Sequence, residues 1–258
     1  MWPLYAVLTA FGLVIGSFLN VCIWRLPRGE SVVSPPSGCP SCGKRIRAWD
    51  NVPVLSYIAL GGKCRACRAR ISPRYPLVEA LNAALYVLVF HVYGPGWHLV
   101  PFLALVSALI VITFIDIDHQ IIPDRITLPG VLIGLVCGFF LTRDPFLREA
   151  ALGWKASLTG AASGFILFYA IALMSRGGMG GGDIKFMAMS GAFLGWKGVL
   201  LTTFAGSFTG SVLGLFLVAF KGKGRKTKVP FGPFLAIGCL LTLFAGQEIL
   251  GWYLNVGD

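Results

Sequence analysis

Charge is what this sequence has least of. Asp, Glu, Lys and Arg make up 13% of its 258 residues, about half the share of an ordinary globular protein. A soluble domain is excluded, because 56% of the side chains are hydrophobic and too few polar ones remain to coat a core of that size. With a mean hydropathy of +0.76, the chain reads as an all-α polytopic membrane protein. Internal repeats and low-complexity tracts are lacking too. No cleavable signal is expected, since the first apolar run, 4–23, has no basic region before it and is long enough to span a bilayer. The eleven acids face 22 Lys and Arg, a net charge of +11. In a soluble protein that excess would suggest nucleic acid. Here the basic residues sit in loops between apolar runs, so the expected partner is an anionic bilayer face, with no nucleic acid.

What is present is a series of apolar runs, at about 4–23, 77–93, 99–115, 127–141, 157–174, 184–195, 199–220 and 231–254. They predict about eight transmembrane helices. The sixth is only about twelve residues against the twenty or so that cross a bilayer. It is either a short crossing or a re-entrant piece buried in protein. Eight crossings put eighteen of the 22 basic residues on one side, ten of them in 24–76 and five in 221–230. The positive-inside rule makes that side cytoplasmic. The expected divisions are a first helix (1–23), a cytoplasmic lobe (24–76) and a multi-helix membrane domain (77–258).

The lobe holds Cys39-Pro40-Ser41-Cys42 and Cys64-Arg65-Ala66-Cys67, with 21 residues between the pairs. Two Cys-x-x-Cys pairs can bring four thiolates to one tetrahedral Zn²⁺. Disulfides are the competing use, disfavoured in a reducing cytoplasm. A closed four-thiolate shell has no open position, so such a zinc would staple the lobe without doing chemistry. The other three cysteines, Cys22, Cys137 and Cys239, lie in apolar runs as core thiols. The arginines around the lobe read as a solvated surface facing lipid headgroups.

Acids at a bilayer boundary mark function by default. Phe114-Ile115-Asp116-Ile117-Asp118-His119-Gln120-Ile121-Ile122-Pro123-Asp124 puts three at the end of an apolar run, and Gly180-Gly181-Gly182-Asp183-Ile184-Lys185 puts another beside the next short run. Two carboxyl groups sharing one proton can hydrolyse a peptide bond: the ionised one activates water and the protonated one polarises the carbonyl. Asp116 and Asp183 fall on the same face under the topology above. The glycines before Asp183 would let an extended substrate approach the acid, and Pro123 is expected to end the helix near Asp116. Asp118 and Asp124 are either ordinary interfacial charges or part of the site. Lys185 either snorkels to headgroups or biases the charge of Asp183. His119 reads as a loop residue.

These residues resemble the bacterial type 4 prepilin peptidases, of the Gly-x-Gly-Asp class of intramembrane aspartyl proteases. The likeness runs nearly end to end. It takes in Gly16-Ser17-Phe18-Leu19-Asn20-Val21 with Arg25-Leu26-Pro27, and the Cys pairs flanking Asp50-Asn51-Val52-Pro53-Val54-Leu55-Ser56. It continues through Arg74-Tyr75-Pro76-Leu77-Val78-Glu79, the two acid motifs and Pro230-Phe231-Gly232-Pro233-Phe234. The glycine stretch is longer than the family's, from Gly177 to Gly182. The resemblance implies Asp116 and Asp183 as catalytic acids, with Gly180, Gly182, Lys185 and Asp124 as support. It implies prepilin or type II secretion pseudopilin substrates, cleaved after a Gly on the cytoplasmic side of the inner membrane. It further implies N-methylation of the new terminus with S-adenosylmethionine, associated with the cysteine lobe. No strand–glycine-loop–helix nucleotide fingerprint supports that second activity from the residues themselves. Glu79 could serve it, or be an interfacial acid beside a basic neighbour such as Arg74. The alternatives are a peptidase alone, a proton-coupled transporter using the same aspartates, which should show repeats and broken helices, and a scaffold recruiting partners through its zinc lobe.

Overall fold

The computed structural model describes residues 2–175, 178–221 and 230–255. Gly177, Arg176 and four of the five basic residues of the 221–230 loop lie outside them. Among the described residues every regular element is a helix and there is no strand, and the chain forms two compact units, 1–94 and 95–258.

In the first unit, α1 (Trp2–Arg25) and α3 (Arg74–Tyr93) pair around the lobe, which holds the short α2 (Leu55–Ala59). The pairing is written in small residues. A Cβ on Gly12 would stand 2.6 Å from the Ala83 Cα, and one on Gly16 would stand 2.6 Å from the Glu79 Cα. This Gly-x-x-x-Gly face lets the two backbones touch. Polar bonds then fix the register: Asn82 Nδ2 donates to the Gly12 carbonyl at 2.7 Å, and Asn20 Nδ2 to that of Tyr75 at 3.1 Å.

The second unit contains α4 (Leu99–His119), α5 (Asp124–Phe140), α6 (Trp154–Met174), α7 (Gly181–Lys221) and α8 (Gly232–Asn255). Among the described residues of both units, six helices (α1, α3, α4, α6, α7 and α8) are long and apolar enough to cross a membrane, and α5, at 17 residues, is not among them. The sixth and seventh apolar runs are joined without a loop in α7, which breaks at Gly195 (φ 72, ψ 176). The break is sharp. Residues 191 and 199 would be about 12 Å apart along a straight helix, yet a Cβ on Gly191 would meet Val199 Cγ2 at 2.9 Å. The expected two segments therefore exist, with a backbone turn in place of the expected connection. The first limb, 181–194, has its buried face against α6 and α5: Gly160 meets Gly191 backbone to backbone, and Gly134 admits Phe193. The second limb packs on α8, where Thr202 and Thr242 share a buried hydrogen bond of 3.1 Å.

The helices overrun the apolar runs by a few residues at polar ends, which hydropathy does not register. One boundary differs in cause. α4 ends at His119, because Gln120 adopts the left-handed conformation (φ 54) and donates its N–H to the Asp116 carbonyl at 2.9 Å. Pro123, expected to end that helix, precedes the start of α5 instead.

Candidate active site and metal centre

Asp116 lies in the last turn of α4, one residue beyond Ile115, and is itself buried at 5% exposure. A carboxylate so placed needs donors. The start of α8 supplies one: the Gly232 N–H donates to Asp116 Oδ2 at 2.8 Å. The first N–H groups of a helix have no partner within it, and the positive end of the helix dipole favours an anion there. A Cβ on residue 232 would itself stand 2.8 Å from that oxygen, so the approach requires glycine.

Asp183 sits in the first turn of α7, half-buried, with Oδ2 accepting the Gly180 N–H at 3.2 Å. It is near enough to Asp116 for the two carboxyl groups to repel each other. The glycines account for that proximity. A Cβ on Gly182 would lie 2.7 Å from Ile122 Cβ, so the first turn of α7 rests directly on the segment that follows Asp116. Lys185 has a partner that the sequence did not suggest. Its Nζ holds Asp124 through both carboxylate oxygens, at 2.7 and 2.6 Å, joining the start of α5 to the start of α7. Asp118 and His119 are exposed. The arrangement puts two carboxyl groups within electrostatic reach of each other beside an exposed glycine turn, a pairing suited to activating water.

The four cysteine sulfurs gather within 4.8 Å of one another, and Cys39 Sγ and Cys67 Sγ are 3.8 Å apart. A disulfide needs about 2.05 Å, whereas four sulfurs around one Zn²⁺ at about 2.3 Å stand roughly 3.8 Å apart. The donor set and its spacing fit a tetrahedral ion. Two turns with one hydrogen-bonding pattern build it. Gly43 N–H donates to the Cys39 carbonyl at 2.8 Å and Cys39 N–H to Lys44 at 2.9 Å. In the other, Arg68 N–H donates to Cys64 at 3.0 Å and Cys64 N–H to Ala69 at 2.8 Å. Gly43 and Arg68 take the same left-handed conformation, φ 67 and 59. The repeat is local and backbone-borne, so residue identities hid it. Asp50 braces the second turn through a double hydrogen bond with Arg65, whose guanidinium holds the carboxyl below its ordinary value.

Glu79 is buried in α3, accepting the Val54 N–H at 2.8 Å. It faces a cavity of about 1170 Å³ bounded by α1, the lobe and the start of α3.

Two contributors had no role from the residues alone. Gly232 was visible only as part of a motif, because the hydrogen bond it makes spans the chain. Val54 carries a positive φ of 58, a conformation that no propensity assigns to a β-branched residue.

Residues 10–93 match the family described as the bacterial peptidase A24 N-terminal domain, and residues 103–215 match the type IV leader peptidase family. The chain is similar to proteins named prepilin leader peptidase/N-methyltransferase. That of Aeromonas hydrophila is 36% identical over 98% of this chain and 95% of the relative. That of Pseudomonas putida is 38% identical over 96% and 94%, and that of Myxococcus xanthus is 41% identical over 88% and 67%. No solved structure matches. With full-length likeness at this level, and both halves of the chain matched in order, the protein belongs to the type IV leader peptidase family.

Proposed function

We propose that the chain is an intramembrane aspartyl peptidase that uses Asp116 and Asp183 to remove the basic leader from type 4 prepilins or type II secretion pseudopilins. The observation that carries the reading is the meeting of two carboxyl groups from the ends of different helices, one tied to the start of a third. The ionised carboxylate takes a proton from water as its oxygen attacks the scissile carbonyl. The protonated partner donates to the developing oxyanion, and the departing amine is protonated as the C–N bond breaks. Gly180 and Gly182 leave room for the substrate strand, and the Lys185–Asp124 pair holds α5 and α7 in position. Asn at either 116 or 183 can still hydrogen-bond but cannot exchange the proton. Each variant should lose leader removal by at least about a hundredfold while keeping its helical circular dichroism. Leader removal by either variant at the wild-type rate would sink the dyad.

The relatives' names add methyl transfer, and we assign it to the N-terminal unit with S-adenosylmethionine as donor. Zn²⁺ would be held by Cys39, Cys42, Cys64 and Cys67 as a brace for the lobe. The basic loops favour an inner-membrane placement with the lobe and both acids facing the cytoplasm and its anionic lipid. A transporter would employ a broken helix at its ion site. α7 is broken at Gly195, but neither acid of the pair lies there, which favours hydrolysis.

A further inference from the structure

The cavity of the N-terminal unit has a wall that leader removal does not use. At about 1170 Å³ it exceeds the roughly 300–1,000 Å³ of a site for one small ligand. It has room for a methyl donor and a peptide end side by side. Its lining runs from Ser17 and Asn20 of α1 past Asp50 and Tyr57 of the lobe to Tyr75 and Glu79 of α3.

Glu79 is the buried acid of that lining, 7% exposed. Its donor is neutral, the Val54 N–H at 2.8 Å. A carboxylate has about four acceptor positions, so this bond leaves most of its capacity open. Among the described residues no Lys or Arg forms an ion pair with it. Two of the arginines lining the cavity are engaged elsewhere, Arg25 by the carbonyls of Ser31 and Pro35 and Arg65 by Asp50.

Val54 is the second observation. At φ 58 and ψ −49 it is the centre of a tight turn closed by the Leu55 N–H donating to the Pro53 carbonyl at 2.5 Å. This positive-φ γ-turn is rare and strained, and strain of this kind gathers where a site must be pre-aimed. What it aims is the Val54 N–H, at the Glu79 carboxyl. Glutamine could accept that hydrogen bond equally well. The negative charge is what tying α2 to α3 leaves unexplained.

We propose that Glu79 receives the α-ammonium group exposed at the pilin N-terminus by leader removal and takes its proton, so that the amine can be methylated. This deepens the methyl-transfer reading above and rests on it. The ammonium N–H proton passes to the Glu79 carboxylate. The freed nitrogen lone pair forms the N–C bond to the methyl carbon of the sulfonium donor, whose C–S bond breaks with its electron pair kept on sulfur. The thioether departs, and the methylated amine is left as its ammonium form. Glu79 then loses its proton to solvent through the cavity.

The test uses the full-length, detergent-solubilised chain and two synthetic peptides of one apolar pilin-like sequence beginning with Phe, one with a free amine and one N-acetylated. Binding is measured without donor. The wild type should prefer the free amine by about tenfold or more. Glu79→Gln should erase that preference while binding the acetylated peptide as before, and Glu79→Asp should keep part of it. With donor present, labelled methyl transfer to pre-cleaved pilin should fall by at least about a hundredfold in Glu79→Gln. It should recover as pH rises past the α-amine's own value of about 8, where solvent removes the proton instead. Zinc content and circular dichroism report the fold, and Glu79→Asp decides the matter if Glu79→Gln is unstable. A Glu79→Gln chain that keeps the free-amine preference and transfers methyl at the wild-type rate overturns the proposal. A wild type that removes leaders and prefers the free amine yet transfers no methyl overturns the methyl-transfer reading and leaves the ammonium site standing.

Discussion

At residue 232 the difference between a hydrogen-bonded acid and a displaced one is a single methyl group. Asp116 is buried, and the Gly232 N–H reaches it only because no Cβ stands in the way. Gly232→Ala keeps the N–H but would push α8 or the carboxyl aside. Displacement of about an ångström at a reacting group costs on the order of a hundredfold in rate. Leader removal by Gly232→Ala should fall by that order with the helical content unchanged, measured as initial cleavage of a prepilin in detergent. Asp116 and Asp183 were legible in the sequence because acids at apolar boundaries are costly and few. Gly232 was not, because a backbone donor has no side-chain signature and its acceptor lies in another helix. Lys185 was legible as a cation near the site. Its bond to Asp124 was not, since pairing across helices depends on how α5 and α7 start.

Among the elements, α7 shows how far hydropathy reaches. Two apolar runs separated by a few residues predict two segments, and the chain does form two. The connection is a single glycine at φ 72 and ψ 176, a region essentially closed to other residues. Gly195→Ala should cost about 1–3 kcal/mol, read as a lower midpoint of thermal unfolding. A Cβ there would also crowd Leu152 Cδ1 at 3.2 Å. The cysteine lobe was legible for the opposite reason, since ligand chemistry is carried by residue type and spacing. Purified protein should hold about one zinc per chain, by metal analysis. A double Cys39→Ser, Cys42→Ser variant should hold none and become open to protease within 24–76. Leader removal should suffer only through that loosening, because no thiol belongs to the acid pair.

At the scale of the whole molecule, the helices were predicted by greasiness alone, yet their lengths are unequal in a way that reaches the chemistry. The first limb of α7 has fourteen residues, 181–194, and so rises about 21 Å, against a hydrocarbon core of about 30 Å. Asp183 opens that limb. Helices such as α4, with 21 residues, match a full-thickness core, whereas the short limb presents no side to lipid: residues 186–195 are all buried. Hydrophobic mismatch acts through contact with acyl chains, so the limb is shielded from it and its neighbours set the depth at which Asp183 stands. The consequence is a site insulated from the thickness of its membrane. Reconstituted into vesicles of one headgroup, the chain should remove leaders at a rate that changes little as acyl chains lengthen from about fourteen to twenty-two carbons. A cleavage rate that falls steeply across that series would mean that acyl chains reach the limb after all.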